Sequence, residues 1–393
     1  MGQTEPRPLL VLLGGMATMM LVMGIGRFVY TPILPDMIGA GLLDVKSAGL
    51  LASSNFLGYF LGALAATPFG RPMRRRLLMA SIVVSILTTT AMGLTHDLLL
   101  WHGLRFLSGV ASAFGQIFIS GFVMEALSRR GKPLWIGWLI GGVGLGVVVS
   151  SLVVELAQKN GVAWDWQWLA SGGLALLLAI PAIATALSLR RVEAPLPSGT
   201  VAPPRARLFT FHFTLLFVAY AGLGIGYVVQ ATYLPTMVRA LPELAGFSTL
   251  AWMVFGLAAA PSNIVWQFIA GRLGVPAALI VAFLLQAAGL LVPVLWHSVP
   301  GVVIGAAALG STLVGITALC LQQARAMAGE QFPRAIALMT AGFGLGQIAG
   351  PPIAALLIGP GNDFLPPTIM TSSVLTLSAL LCVPLLRRRG ASR

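Results

Sequence analysis

The sequence predicts an all-α integral membrane protein whose twelve transmembrane helices form two six-helix bundles. The first observation is composition: 57% of the 393 residues are hydrophobic and 9% are charged, whereas a typical soluble domain contains roughly 25% charged residues. The second is a series of twelve long apolar stretches, and the third is an internal repeat at an offset of 200 residues. Together they exclude a soluble enzyme, a nucleic-acid-binding domain and a disordered chain.

Each apolar stretch is long enough to cross a bilayer, which takes about 20 residues in a helix. The stretches lie at 9–34, 47–69, 76–95, 98–125, 133–155 and 166–189, and then at 209–238, 247–270, 275–295, 300–325, 334–358 and 366–386. Residues 190–208 are rich in proline and arginine, which is typical of a flexible linker. The predicted domains are an N-terminal bundle (1–189), a cytoplasmic linker (190–208) and a C-terminal bundle (209–393). The first stretch has no small-residue cleavage pattern and is interpreted as a retained span rather than a signal peptide.

Lysine and arginine predict the orientation, because cytoplasmic loops are enriched in both. Of the 24, 19 lie in the termini, the linker and the even-numbered loops that would share one side of the membrane, and only Lys46, Lys159 and Arg239 lie in loops of the opposite side. Both termini are therefore predicted to be cytoplasmic. The net charge of +13 is then a topology signal with some attraction to anionic lipid headgroups, and no nucleic-acid partner is expected.

The internal repeat pairs the first span of each half. Residues 24–38 (GIGRFVYTPILPDMI) and 224–238 (GIGYVVQATYLPTMV) are identical at seven of fifteen positions without gaps, and the same offset aligns 142–146 (GVGLG) with 342–346 (GFGLG). Spans 1 and 5 therefore correspond to spans 7 and 11. Six helices followed by six similar helices in the same orientation form a parallel repeat, with its axis along the membrane normal.

With this repeat, the chain resembles the major facilitator superfamily (MFS) over nearly its full length. Residues 105–113 (RFLSGVASA) resemble that family's fourth-helix signature, and 346–355 (GQIAGPPIAA) resemble a glycine–proline motif found in helix 5 of some members. The family's loop signature after span 2 is partly kept here, with Gly70 and a cluster of arginines. Ala66 stands near the position where the family has an aspartate, so the family's usual charge pairing on the cytoplasmic side is in doubt. The string at 24–32 (GIGRFVYTP) is similar to the bacterial YbfB/YjiJ-type subgroup.

The resemblance implies a secondary transporter of the bacterial inner (cytoplasmic) membrane that works by alternating access as a monomer on a small-molecule substrate. The sequence favours a small organic anion as cargo. Two alternatives stay open: a multidrug or metabolite efflux pump of the same superfamily, and a receptor or channel that does not transport. No P-loop, HExxH or nucleophile-elbow string occurs, so an enzyme is not expected.

Two arginines inside spans are the leading candidates for substrate binding. An intramembrane arginine costs at least about 2.5–3.5 kcal/mol near the centre of a helix and is by default a functional hypothesis. Arg27 and Arg105 fall at similar depths as the spans are drawn, so both could bind one anion, with Tyr30 one turn from Arg27. The alternative for Arg105 is a packing anchor bonded to backbone carbonyls.

Further candidates come from the repeat and from polar residues inside spans. Tyr227 stands at the position equivalent to Arg27, and Gln230 at that equivalent to Tyr30. Asn55, Gln116 and Gln347 are weaker candidates, since such residues more often form interhelical hydrogen bonds.

The coupling candidates are Asp36 and His102, both near the outer mouth. Of the eleven acidic residues, only Glu125 and Glu155 fall within predicted spans, and both are at span ends. Exchange of one anion for another therefore fits better than coupling through a central carboxylate. The two cysteines, Cys320 and Cys382, predict no disulfide framework, and no metal site or cofactor is expected.

Overall fold

The computed structural model describes residues 7–66, 69–132, 135–189 and 208–390. Within these ranges twelve helices are long and apolar enough to cross a membrane, which confirms the predicted number of spans and the all-helical class. The predicted linker lies outside the described residues except for Leu208. By contacts the chain separates into two compact units, Met1–Ala194 and Pro195–Arg393.

The described residues of the first unit form seven α-helices, because its first span is divided in two. They are α1 (Pro8–Met19), α2 (Tyr30–Gly39), α3 (Val45–Ala65), α4 (Arg71–Met92), α5 (Leu98–Arg129), α6 (Ile136–Lys159) and α7 (Trp164–Ser188).

Six α-helices are formed by the part of the second unit that the structure describes. They are α8 (Phe211–Arg239), α9 (Ser248–Leu273), α10 (Val275–Leu295), α11 (Val299–Ala328), α12 (Phe332–Leu357) and α13 (Leu365–Cys382).

Polar N-caps begin several of the helices. Asp44 accepts from the Ser47 amide at 2.7 Å, and Asp97 accepts from the Leu100 amide at 2.8 Å. Each cap binds one of the amide groups that a helix start leaves unpaired. The hydrogen bond from the Ser47 backbone lowers the pKa of the Asp44 carboxyl.

The repeat is visible as the same close helix crossing in both units. A Cβ added to Gly146 of α6 would lie 2.6 Å from the Met20 Cα. A Cβ added to Gly346 of α12 would lie 2.5 Å from the Ala221 oxygen of α8. Only glycine lets the two backbones approach this closely, so the glycine-rich blocks at 142–146 and 342–346 act as packing surfaces.

The first span of each unit differs in regularity. In the first unit, α1 passes into a π-helical segment, Met20–Ile25, and then into turns at 26–29 before α2 starts. In the second unit, α8 runs as one helix through the aligned residues. The break therefore lies at the repeat position that is Arg27 in the first unit and Tyr227 in the second.

Large apolar side chains cover much of the accessible surface. Leu99 is 80% exposed and Leu356 is 78% exposed. A water-soluble protein exposes few such side chains in one patch, whereas these helices expose many of them. The surface is that of a multi-pass membrane protein.

Candidate functional site

The candidate site lies in the first unit, where both intramembrane arginines are buried. Arg27 is 4% exposed and Arg105 is 3% exposed, and among the described residues they are the only charged side chains in the buried set. Neither forms an ion pair within the described ranges; pairs found there include those of Glu125 with Arg71 and Arg129, and of Glu155 with Lys159. Two cations are thus held in an apolar bundle without a counter-ion.

Arg105 binds the backbone of the broken first span. Its Nη1 donates to the Gly26 oxygen at 3.2 Å and its Nη2 donates to the Arg27 oxygen at 2.9 Å. The Thr31 amide bonds to the Phe28 oxygen, three residues back, where a regular α-helix would pair it with the Arg27 oxygen. Carbonyl groups left by such a break need donors in an apolar environment, and Arg105 provides two.

Two serines on the same helix extend this contact. Ser108 Oγ donates to the Gly26 oxygen at 2.5 Å, and Ser112 Oγ donates to the Val22 oxygen at 2.5 Å. Arg105, Ser108 and Ser112 are spaced by three and four residues, so they share one face of α5. This polar face of α5 supports the interrupted segment of the first span along its length.

Arg27 is bonded quite differently. Its guanidinium carbon lies 4.1 Å from the centroid of the Tyr59 ring, 5.0 Å from that of Phe56 and 5.4 Å from that of Phe28. Its Nε and Nη2 are buried and have no hydrogen-bond partner. These two nitrogens form one edge of the planar guanidinium, the edge that pairs with both oxygens of a carboxylate.

The other predicted first-unit residues gather around this pair. Asn55 Nδ2 donates to the Arg105 oxygen at 2.9 Å, and the Tyr30 ring centroid lies 4.9 Å from the Arg105 guanidinium carbon. Tyr59 donates its hydroxyl hydrogen to Gln116 Oε1 at 2.8 Å, so Gln116 joins the group through Tyr59. Phe56 was missed in the sequence, although its place one residue after Asn55 and three before Tyr59 puts it on the same part of α3.

The second-unit candidates form two separate contacts. Gln347 Nε2 donates to the Tyr227 hydroxyl, and the Tyr227 ring stacks on Phe343 with centroids 5.7 Å apart. Gln230 Nε2 instead donates to Thr368 Oγ1 of α13 at 3.1 Å. The sequence did not indicate Phe343 or Thr368 as partners; Phe343 could have been noticed as the one aromatic residue inside the repeated 342–346 block.

The coupling candidates both have polar partners. Asp36 Oδ2 accepts from Gln158 Nε2 at 2.7 Å and from Gln167 Nε2 at 2.8 Å. His102 Nδ1 lies 2.6 Å from Ser54 Oγ. Gln158 and Gln167 were not among the predicted residues, and nothing local in the sequence connects them to Asp36.

Charge pairing at the α4–α5 contact is present in spite of the missing aspartate. Glu125 Oε1 accepts from Arg71 Nη1 at 3.1 Å and from Arg129 Nη2 at 2.9 Å. The arginine of the degraded loop signature thus uses an acid at the end of α5. Across the described part of the chain, no group of three His, Cys, Asp or Glu residues is arranged to hold a metal ion.

Comparisons with known proteins agree with this architecture. Residues 19–383 match the family described as "Uncharacterised MFS-type transporter YbfB". An uncharacterized MFS-type transporter of Yersinia pestis is 29% identical over 157 residues, and the match spans 37% of this chain and 40% of that protein. The uncharacterized MFS-type transporter YceJ of Bacillus subtilis is 24% identical over 278 residues, 69% of this chain and 70% of that protein.

Among solved structures, a mutant of the nucleoside transporter NupG has a TM-score of 0.66 at 14% identity, with coverage of 95% of this chain and 99% of that chain. This likeness shows a common fold. The family match covers nearly the whole sequence, and both family and fold are those of transporters. The chain belongs to the YbfB-type family of MFS transporters.

Proposed function

We propose that the protein is a secondary active transporter that moves a small organic anion across the bacterial inner membrane by alternating access. The observation that carries the proposal is the Nε/Nη2 edge of Arg27, which is buried and has no partner. A buried donor without an acceptor costs about 1–3 kcal/mol, and more when it is charged. A protein retains such a cost where a ligand removes it, and an anion removes both the unmet hydrogen bonds and the unmet charge.

The two arginines have different parts in this proposal. The terminal nitrogens of Arg105 already bind the Gly26 and Arg27 carbonyls, so its remaining Nε can add at most one hydrogen bond to a ligand. We therefore assign the main anion contact to Arg27 and the support of its backbone to Arg105. Asn55, Tyr30 and Gln116 complete the first-bundle candidates, and Tyr227, Gln230 and Gln347 remain candidates for substrate contact by the second bundle.

The charges of the buried residues disfavour a pump for cationic drugs. Such a pump needs a buried carboxylate to attract its substrate, and among the described residues the buried charged side chains are arginines. Glu125 is a third exposed and bound to two arginines. Efflux of an anionic or neutral metabolite remains compatible with this arrangement.

Orientation and assembly complete the proposal. The excess of lysine and arginine in one set of loops favours cytoplasmic termini. We propose a monomer in contact with membrane lipids, without a nucleic-acid partner. Coupling is proposed to be anion exchange, with Asp36 and His102 as the candidate coupling residues if a proton is used instead.

The test is counterflow in proteoliposomes. If the protein is a transporter, vesicles preloaded with unlabelled organic anion should accumulate labelled anion faster than empty vesicles. A channel gives no such stimulation. Arg27→Gln should abolish counterflow, and Arg27→Lys should damage it nearly as much, because an ammonium cannot reproduce the planar fork.

Arg272→Gln is the matched control, since Arg272 is an exposed arginine at the end of α9. Its counterflow should equal that of the unaltered protein. Normal counterflow by Arg27→Gln would contradict the anion proposal.

A further inference from the structure

The surroundings of Arg27 restrict the class of anion that it can bind. Aromatic rings border the cation: the guanidinium carbon lies 4.1 Å from the Tyr59 ring centroid and 5.0 Å from the Phe56 ring centroid. Cation–π contacts of this kind stabilise a guanidinium beside the rings but leave its N–H groups without acceptors. The donors that an anion can use on Arg27 are therefore Nε and Nη2, which have no partner.

The number of available donors limits the ligand's charge. Arg27 offers one bidentate edge, which satisfies one carboxylate. Arg105 has both terminal nitrogens bound to carbonyl oxygens, so it offers no second edge. Asn55 uses its amide nitrogen on the Arg105 oxygen and leaves only its own oxygen, an acceptor, without a partner.

A second carboxylate on the same ligand would consequently find at most one charged donor in this pair, the Nε of Arg105, instead of a bidentate edge. The rings beside Arg27 belong to Phe28, Phe56 and Tyr59, and they carry no cation for a second carboxylate. Burial of an unpaired charge is far more costly than burial of an apolar group. The ligand's remaining part is therefore expected to be apolar, and flat rings pack well against aromatic walls.

We propose that the substrate is a monocarboxylate with an apolar, preferably aromatic, body, whose carboxylate binds the Nε/Nη2 edge of Arg27. This proposal rests on the proposed anion transport and narrows it. It excludes dicarboxylates and tricarboxylates as preferred substrates. It also makes Phe56 and Tyr59 determinants of specificity, because they form the walls beside the arginine.

The experiment measures thermal stabilisation of the purified full-length protein in detergent at neutral pH, where carboxylates are ionised. A ligand that binds the folded state raises its unfolding temperature. Two size-matched pairs separate charge from shape: benzoate against phthalate, and butyrate against succinate. Benzamide, a neutral analogue of benzoate, tests the need for a carboxylate.

We expect benzoate to stabilise the protein at concentrations about tenfold lower than phthalate, and butyrate at lower concentrations than succinate, with benzoate the better of the two monoanions. Benzamide should have no effect. Arg27→Gln should lose the benzoate response while Arg272→Gln keeps it. Because the pairs are compared on the unaltered protein, the result does not depend on the folding of a variant.

The contrary outcomes fall on different claims. If phthalate or succinate stabilises as well as its partner, the single-carboxylate inference is wrong while anion transport stands. If benzamide stabilises as well as benzoate, or if Arg27→Gln keeps the benzoate response, the anion proposal is wrong as well. If neither monoanion stabilises the protein, the proposed substrate class is overturned, whether or not a dicarboxylate stabilises it.

Discussion

The two arginines of the first unit show how partners, rather than residue type, determine a side chain's role. Both are more than nine-tenths buried. Arg105 donates to two backbone oxygens, whereas the Nε/Nη2 edge of Arg27 is unmet. Removing the Arg105 side chain should therefore leave buried carbonyl groups without donors and destabilise the fold. Removing the Arg27 side chain should remove a buried cation that has no counter-ion.

The two substitutions should accordingly differ in their effect on stability. Arg105→Gln is expected to lower the free energy of unfolding by about 1–3 kcal/mol, since buried acceptors lose their donors. Arg27→Gln is expected to leave it unchanged or raise it, because a buried charge without a counter-ion is removed. Thermal unfolding in detergent measures both. An Arg27→Gln protein as destabilised as Arg105→Gln would mean that Arg27 is a structural residue.

Tyr59 permits a separation of its ring from its hydroxyl. Tyr59→Phe keeps the ring 4.1 Å from the Arg27 guanidinium carbon and loses the hydrogen bond to Gln116, which contributes about 0.5–1.5 kcal/mol net to stability. Tyr59→Leu loses both. We expect Tyr59→Phe to retain anion counterflow with a small loss of stability, and Tyr59→Leu to reduce counterflow severalfold. Equal counterflow by the two variants would remove the ring from the proposed site.

At the scale of elements, the broken first span and the continuous α8 form a comparison within one molecule. Gly109 of α5 packs on the Asn55 carbonyl, and Gly310 of α11 packs on the Phe255 carbonyl, so these two helices correspond. By that correspondence Ala306 stands where the first unit has Arg105. The unit with the arginine has the interrupted helix and the unit with alanine has the regular one, as expected if side-chain donors on α5 stabilise the interruption.

The serines of α5 test this explanation. Ser108→Ala and Ser112→Ala each remove a hydrogen bond to the first span and are expected to lower stability by about 1 kcal/mol each. Ser171→Ala is the matched control, because its hydroxyl bonds to Gln167 of its own helix and joins no other element. Should Ser171→Ala destabilise as much as the α5 variants, the interhelical bonds would have no special role.

The close glycine crossings make a second prediction at this scale. In Gly146→Ala the new Cβ would meet the Met20 Cα at 2.6 Å, so the helices must separate and we expect clear destabilisation, by roughly 1–3 kcal/mol as for other overpacked sites. Gly173→Ala, on the exposed face of α7, meets nothing within 4 Å and should be neutral or stabilising by helix propensity. Unfolding temperatures of the two variants distinguish them, and equal values would contradict the crossing.

The sequence predicted those features that depend on local pattern. All twelve spans were found because hydropathy is summed over adjacent residues, and the predicted span at 275–295 coincides with α10. The break at 20–29 was not predicted, since residues 9–34 form one apolar run and the donors that support the break lie 78 or more residues away. The partners of Asp36 lie 122 and 131 residues beyond it and were likewise out of reach.

At the scale of the whole molecule, the predicted orientation can be measured independently of any substrate. Reporter fusions at Gly199 and after Arg393 should both report the cytoplasm, because the arginine-rich linker and C-terminus are on the side that holds the excess of positive charge. A fusion in the loop that contains Lys46 should report the opposite side. A periplasmic signal at either of the first two positions would contradict the proposed topology.

Coupling is the last property of the whole molecule, and the buried charges favour exchange. A guanidinium is a cation, so an empty site that holds Arg27 has a positive charge that resists reorientation in the membrane, and a bound monoanion would neutralise it. Uptake of labelled anion should consequently be fast into vesicles that contain anion and slow into empty ones, with little effect of an imposed pH gradient.

Asp36 accepts from two amides and His102 contacts Ser54, so Asp36→Asn and His102→Gln should lower stability without converting exchange into another mode. His297→Gln, at an exposed position, is the matched control. Strong pH-driven accumulation into empty vesicles that survives both Asp36→Asn and His102→Gln would show that a proton site exists elsewhere in the chain.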